Sequence, residues 1–319
     1  MEDKIDLFQI QNKNLIKLDK SDSPFTKERE LQNLFEGNLK TLLGVHFLKS
    51  EHTITDSQGQ RQRIDTLGID ENNTPVIIEY KLKANVNIVS QGISYLSWLM
   101  EHKADFQILV RKKIKEGKLK DESVVDNIEW NAPRLICVAT DFSKHDQNTA
   151  TAKFIKGCSI ELVRYRKFDD LLIIELLTKV SKKSSSPSIS VPTTNATKKR
   201  RQITVSESLE KASPELKELY KKTEDFITSL GKDISKEVLQ YYFAFRRMKN
   251  FVCVEIKPRG NKILLYLKIN PDSLQLEDEF TRDVRKKGTF GTGDLEVTLK
   301  SGDDLERAKK LIQKSYEES

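Results

Sequence analysis

Residues 182–201 read Lys-Lys-Ser-Ser-Ser-Pro-Ser-Ile-Ser-Val-Pro-Thr-Thr-Asn-Ala-Thr-Lys-Lys-Arg-Arg, a Ser, Thr and Pro-rich stretch without hydrophobic periodicity. Such a segment cannot form part of a core, so it divides the chain. Residues 1–181 and 206–319 must each bury a core of their own, with 182–205 as the linker between them. A chain of 319 residues with 37% hydrophobic composition is long enough for two such domains. The basic run Lys198–Arg201 reads first as a solvated charge run and second as a phosphate contact.

In the first part, Leu31, Leu34, Phe35, Leu39, Leu42 and Leu43 recur at three- and four-residue spacing and Gly44 follows, which predicts an amphipathic helix over Thr26–Leu43. Phe47–Ile54, Arg63–Ile69 and Pro75–Lys81 read as three successive strands separated by the turns Asp56–Gly59 and Asp70–Asn73. A helix is expected over Asn87–His102, and strands over Phe106–Val110, Arg134–Ala139, Ser159–Tyr165 and Leu171–Leu177. This order predicts an α/β fold, a mixed sheet flanked by helices. After the linker, a helix at Pro214–Leu230, strands at Phe251–Ile256, Ile263–Lys268 and Leu295–Leu299, and a helix at Asp303–Tyr316 predict a small α+β unit. Ile234–Phe245 carries no clear pattern.

The chemistry concentrates in Arg63-Ile64-Asp65-Thr66-Leu67-Gly68 and Pro75-Val76-Ile77-Ile78-Glu79-Tyr80-Lys81. Antiparallel pairing through the intervening turn brings Asp65 alongside Glu79. Side chains two apart on a strand share a face, so Glu79 and Lys81 point together and Tyr80 away. Two adjacent carboxylates raise one another's pKa unless a cation lies between them. Asp65, Glu79, the Tyr80 backbone carbonyl and waters are the hard ligands that Mg²⁺ takes, and Mn²⁺ would serve equally. A metal there polarises a phosphate and activates water. Lys81 then either orients that water or stabilises charge on the phosphorane. The pattern alone is short enough to arise by chance, but the apolar run Val76–Ile78 marks a central strand, where idle charges are costly.

These two segments, followed by Gln91-Gly92-Ile93-Ser94-Tyr95-Leu96-Ser97-Trp98-Leu99, resemble motifs of the PD-(D/E)XK nuclease superfamily, in the branch of the NucS-like endonucleases. The resemblance covers residues 25–180. It implies a restriction-endonuclease-like fold and metal-dependent DNA endonuclease activity in repair or defence against foreign DNA. It further implies Asp65 and Glu79 as metal ligands, Lys81 as the catalytic lysine, and Gln91 and Tyr95 at the edge of the site. Arg63 and Lys83 would bind substrate, and a homodimer is the assembly considered. The superfamily tends to place a glutamate on the first helix; Glu36 is preferred for it and Glu51 competes. Gln62 stands where the motif often has glycine. Two alternatives share the fold: a catalytically silent nucleic-acid-binding or adaptor protein, and an RNase using the same site.

The second part resembles the small domain DUF5655, on Phe251–Ile256, Leu264–Leu267, Gly288–Asp294 and Leu311–Tyr316. Gly288, Gly291 and Gly293 lead into a strand, which favours a tight turn over a phosphate cradle. Tyr241, Tyr242, Phe243 and Phe245 beside Arg246, Arg247 and Lys249 could offer stacking surfaces, but aromatics this dense are more often core.

The excess of 55 Lys and Arg over 48 Asp and Glu, a net charge of +7, favours a polyanionic partner. Cys137, Cys158 and Cys253 are distant from one another and read as reduced thiols. With no apolar span and no basic-then-apolar leader, a cytoplasmic, non-membrane protein is expected. His46, His52, His102 and His145 share no zinc-ligand spacing with the cysteines, and neither a Gly-x-Ser-x-Gly nor a Walker motif occurs.

Overall fold

The computed structural model describes residues 7–11, 14–19, 25–55, 59–83, 87–119, 123–131, 133–151, 158–180 and 203–319. The chain forms two compact units, residues 1–180 and 181–319. The linker stretch and its basic run fall almost wholly outside the described residues. Among the described residues no helix is long and apolar enough to cross a membrane.

In the first unit, a hairpin of β1 (Leu7–Gln11) and β2 (Asn14–Leu18) precedes α1 (Glu28–Leu43), β3 (Val45–Thr55), β4 (Arg61–Asp70) and β5 (Pro75–Tyr80). Then come α2 (Ile88–Glu101), α3 (Lys103–Lys115), the short α4 (Ser123–Asp126), β6 (Arg134–Ala139), α5 (Lys144–Thr151), β7 (Ser159–Phe168) and β8 (Leu171–Val180). The six strands β3 to β8 lie in sequence order in one sheet. β3, β4 and β5 form an antiparallel meander, β5, β6 and β7 are parallel, and β8 returns antiparallel to β7. The fold is thus mixed α/β, a mixed sheet with helices on both faces.

Helix α1 stops where Gly44 takes a left-handed backbone (φ 66°) and donates to Leu39 and Lys40 carbonyls. It covers one face of the sheet, with the Phe35 ring edge-on to Tyr80 at 5.7 Å. Ile88, Val89, Tyr95, Leu96 and Leu99 of α2 pack on Leu67, Ile77, Leu135 and Cys137 on the other face. Both faces being covered, every side chain of β5 is buried, which accounts for its continuous apolar run. The segment Phe106–Val110 is helical and not a strand. Its two buried residues, Phe106 and Val110, are four apart, and Ile108 between them is exposed, which is a helical spacing.

Where β4 enters the turn to β5, a buried ion network fixes the meander to the parallel strands. The fully buried Arg134 donates from Nε and one terminal nitrogen to both oxygens of Glu161 (2.8 and 2.9 Å) and from the other to Asp70 (3.0 Å). Asp70 also accepts the Asn72 and Thr74 amides of the turn (2.8 and 2.9 Å).

The second unit comprises α6 (Val205–Glu210), α7 (Pro214–Ser229), β9 (Ser235–Val238), β10 (Phe243–Arg246), β11 (Asn250–Lys257), β12 (Lys262–Leu267), β13 (Thr281–Asp283), β14 (Leu295–Leu299) and α8 (Gly302–Glu317). Its antiparallel sheet runs β13-β14-β12-β11-β10-β9. Ile234–Phe245 resolves into the short hairpin of β9 and β10. Tyr242, Phe243, Phe245 and Arg246 are buried, with Arg246 facing Glu237 at 3.4 Å, so these residues are core. The glycines make a turn: at Gly293 (φ 154°) a Cβ would come within 2.7 Å of the Leu267 amide nitrogen.

Removing Arg134 leaves Asp70 and Glu161 buried and uncompensated, so Arg134→Met is expected to cost about 3–5 kcal/mol. Trp98 and Trp130, both chain tryptophans, lie in this unit, so urea unfolding followed by their fluorescence reads the loss directly. A midpoint equal to wild type would contradict the role given to Arg134.

Candidate functional site

Pairing of β4 with β5 stops at Thr66 and Ile78, whereas β5 stays paired with β6 through Tyr80 and Val138. The sheet splits at the next step, where Asp65 faces Glu79. There the side chains replace the ladder: the Asp65 amide donates to Glu79 Oε1 (3.1 Å) and the Tyr80 amide donates to Asp65 Oδ2 (3.1 Å). Neither Asp65 Oδ1 nor Glu79 Oε2 accepts a hydrogen bond from the described residues.

Strand alternation breaks at the same row. Ser50 and Thr66 are paired and face α1, whose Gln32 and Glu36 they meet. His52 and Ile64, the next pair but one, face α2: the His52 ring lies 5.6 Å from Trp98, and Ile64 joins the α2 core. Residues two apart should share a face, so the strands turn over at Glu51 and Asp65, with Glu51 left-handed (φ 48°). Gln32 of α1 braces the bend by donating to the Asp65 carbonyl (2.8 Å).

Burial raises the Asp65 carboxyl above the usual range, against the Tyr80 amide and the Lys81 charge, which lower it. Glu79, almost fully buried, is raised well above its ordinary value, first by burial and then by the charge of Asp65. Burial works against the Lys81 ammonium, but Glu28, Asp65 and Glu79 outweigh it and raise its pKa. Lys81 Nζ donates to Glu28 Oε2 at 3.0 Å, and its amide is fixed by the Val138 carbonyl (2.9 Å). Gln91 donates to the Tyr95 hydroxyl (2.6 Å). The Tyr95 phenol is raised by burial and by the charges of Glu79 and Asp65, while a bond from the Arg63 backbone lowers it, so it borders the carboxylates.

The structure therefore brings Asp65, Glu79, Lys81, Tyr95 and Gln91 together. It does not bring Glu36 to them: Glu36 Oε1 accepts from Thr66 (2.6 Å) and Gln32 (2.8 Å) on the α1 face, whereas Glu79 pairs with Cys137 and lies on the α2 face. Glu51 is held by Arg63 (3.2 Å) and Arg29 (3.4 Å). The helix carboxylate that reaches the cluster is Glu28, two turns before Glu36 on the same helix stripe. An acid in a first helical turn looks explained by the helix dipole, which conceals a second role. Lys83 is exposed just past β5, and Arg63 is largely exposed beside the cluster. Among the described residues no three His, Cys, Asp or Glu side chains converge on one point suited to a metal, so the donor set is the two carboxylates.

Residues 205–319 match DUF5655, a domain of unknown function. The whole chain is 31% identical over 306 residues to an "Uncharacterized protein" of Haemophilus influenzae, across 92% of this chain and 94% of that one. The chain belongs to that protein's family. This chain joins a mixed α/β unit to a DUF5655 domain. A solved repair endonuclease from Pyrococcus abyssi is similar over 45% of this chain and 50% of its own, at 18% identity and a TM-score of 0.28. The chain thus spans about half of that endonuclease, and a score that low carries no argument for fold or activity.

A carboxylic acid with a raised folded pKa contributes stability below its unfolded value of about 4 and loses it as pH rises through the folded value. Glu79→Gln mimics the protonated form and should melt above wild type at pH 7, the gap closing as pH falls to about 4. Paired thermal melts across that range check this; a pH-independent gap would refute it.

Proposed function

We propose that the first unit of this family member is a metal-dependent phosphodiesterase, a DNA endonuclease using Mg²⁺ or Mn²⁺. The observation that carries the reading is the pair of opposed carboxylates at a split in the sheet, Glu79 buried and Asp65 half-buried, with a lysine ammonium beside them. Their free oxygens and raised pKa values are the signature of a site that gains from a cation. Two carboxylates, with the Tyr80 carbonyl and waters, suit Mg²⁺, which keeps several waters, and do not suit the closed four-ligand sets of structural zinc.

Asp65 and Glu79 would hold the cation, which when bound supplies phosphate polarisation and an acidified water. The amides of Asp65 and Tyr80 fix the two carboxylates, so no side-chain rearrangement is needed to present them. Lys81 places a positive charge where the phosphoryl oxygens gain negative charge, and Glu28 holds that ammonium in place until substrate competes for it. Tyr95, steadied by Gln91, borders the carboxylates and limits water around them. Arg63 and Lys83 offer exposed cations to flanking phosphates.

The test is cleavage of plasmid, single-stranded, branched and mismatched DNA, and of RNA, with Mg²⁺ or Mn²⁺ and with EDTA. The expected result is metal-dependent DNA cleavage, lowered about 100-fold or more by Asp65→Ala, Glu79→Ala or Lys81→Ala. Glu36→Gln should leave it near wild type. Cleavage confined to RNA would move the substrate, and no cleavage of any substrate would sink the reading. A second readout is independent of activity: Mg²⁺ should raise the melting temperature of wild type and not of Glu79→Gln.

A further inference from the structure

On the α2 side of the sheet, next to the split, His52–Thr55 of β3, Trp98 of α2, His102 between α2 and α3, and Asp105, Ile108 and Leu109 of α3 line an open recess of about 460 Å³. The phosphodiesterase reading leaves it unused. Three of its lining side chains are rings. Trp98 and His102 stack at 4.3 Å and 13°, and His52 tilts against Trp98 at 5.6 Å. The His102 ring is pinned by a 2.8 Å contact between Nδ1 and the Trp98 carbonyl. Burial and the nearby Lys49 lower the His52 pKa, keeping that ring neutral at pH 7.

We propose that this recess is a stacking subsite for one unpaired nucleobase of the strand being cut, a proposal that rests on the phosphodiesterase reading above. Three observations favour a base over another occupant. Flat rings fixed in place suit a planar aromatic partner, and every base offers a π-face. Asp105, exposed at the rim, supplies a carboxylate acceptor for a base edge. Position agrees as well: Gln91, Tyr95 and Trp98 succeed one another on one α2 stripe, which leads from the carboxylates to His102 just past the end of the helix. Trp98 lies one turn beyond Tyr95, about 4.5 Å along the helix, and His52 is one residue along the sheet from the Asp65 row. A strand whose phosphate sits at Asp65 and Glu79 reaches Trp98 within a few nucleotides at about 3.4 Å per stacked base. The break in alternation at Glu51 and Asp65 is what turns His52 to this face.

The experiment measures binding of the full chain to labelled single-stranded oligonucleotides by fluorescence anisotropy in EDTA, where nothing is cut. One oligonucleotide carries all its bases, and the others carry a single abasic site moved along the strand. Trp98→Ala and His52→Ala are expected to weaken binding of the complete strand by roughly 5- to 150-fold, and Trp98→Phe to restore most of it. At one abasic position wild type should show the same loss, and Trp98→Ala should lose nothing more there. His52 lies outside the buried core, so His52→Ala keeps the test open if Trp98→Ala fails to fold by circular dichroism. Wild-type affinity in the folded variants, losses that add to every abasic site, or no binding of any strand would overturn the subsite. Metal-dependent cleavage lost in Asp65→Ala but unaffected by base-stacking variants would overturn it while leaving the phosphodiesterase reading intact.

Discussion

Everything at the candidate site follows from β5 changing partners. It pairs antiparallel with β4 as far as Ile78 and parallel with β6 to its end, so the two neighbours diverge at Asp65 and Glu79. Backbone amides released at a split would be orphaned inside the fold at a cost of about 1–3 kcal/mol each. Here the carboxylates of the opposite strands accept them. That substitution stabilises the opening, yet it strands two anions at low exposure, and the raised pKa of both shows that the compensation is incomplete. A fold that needed only a closed ladder would put two apolar residues in that row. The unrelieved charge separates a site from a mere structural irregularity.

The opposite face holds the split in register. Gln32 reaches the Asp65 carbonyl, Glu36 and Ser50 from one amide nitrogen, and Thr66 closes the group onto Glu36. At the far end of the meander Arg134 joins Asp70 to Glu161, so β4 is anchored on both sides of the point where it parts from β5. Glu28 and Lys81 then tie the first turn of α1 to the end of β5. The helix is therefore a brace along the meander, and its polar stripe Glu28, Gln32 and Glu36 serves three contacts of different kinds.

Much of this was legible in the residues, and the failures share a cause. Periodicity located the helix before the meander, its three strands and the helix after it, because each buries a regular stripe or run. Opposition of Asp65 and Glu79 followed from the turn length. Periodicity could not show that alternation breaks at Glu51 and Asp65, since the break is made by a left-handed backbone at a residue that is not glycine. Nor could it choose among Glu28, Glu36 and Glu51, three acids whose partners lie on different strands. Phe106–Val110 was misread as a strand because a short apolar run has no period long enough to separate the two states. In the second unit the aromatic and basic residues of Tyr241–Lys249 resembled a stacking platform in one dimension, and only burial of Tyr242, Phe243, Phe245 and Arg246 shows where they are used.

The contrast between the two units bears on where a polyanion would be met. In the second unit the cations with defined partners are largely consumed internally: Arg246 by Glu237, Arg285 by Asp272 and Asp283, Arg282 by Glu296, Arg307 by Glu277. In the first unit Arg63, ion-paired with Glu51, and Lys83 lie exposed within two residues of Asp65 and Lys81 in sequence. A net charge says nothing about place, but cations next to Asp65 and at Lys81 do. On the proposed reading, a divalent cation between the carboxylates and a phosphate beside Lys81 would each relieve charge that the protein leaves unbalanced there.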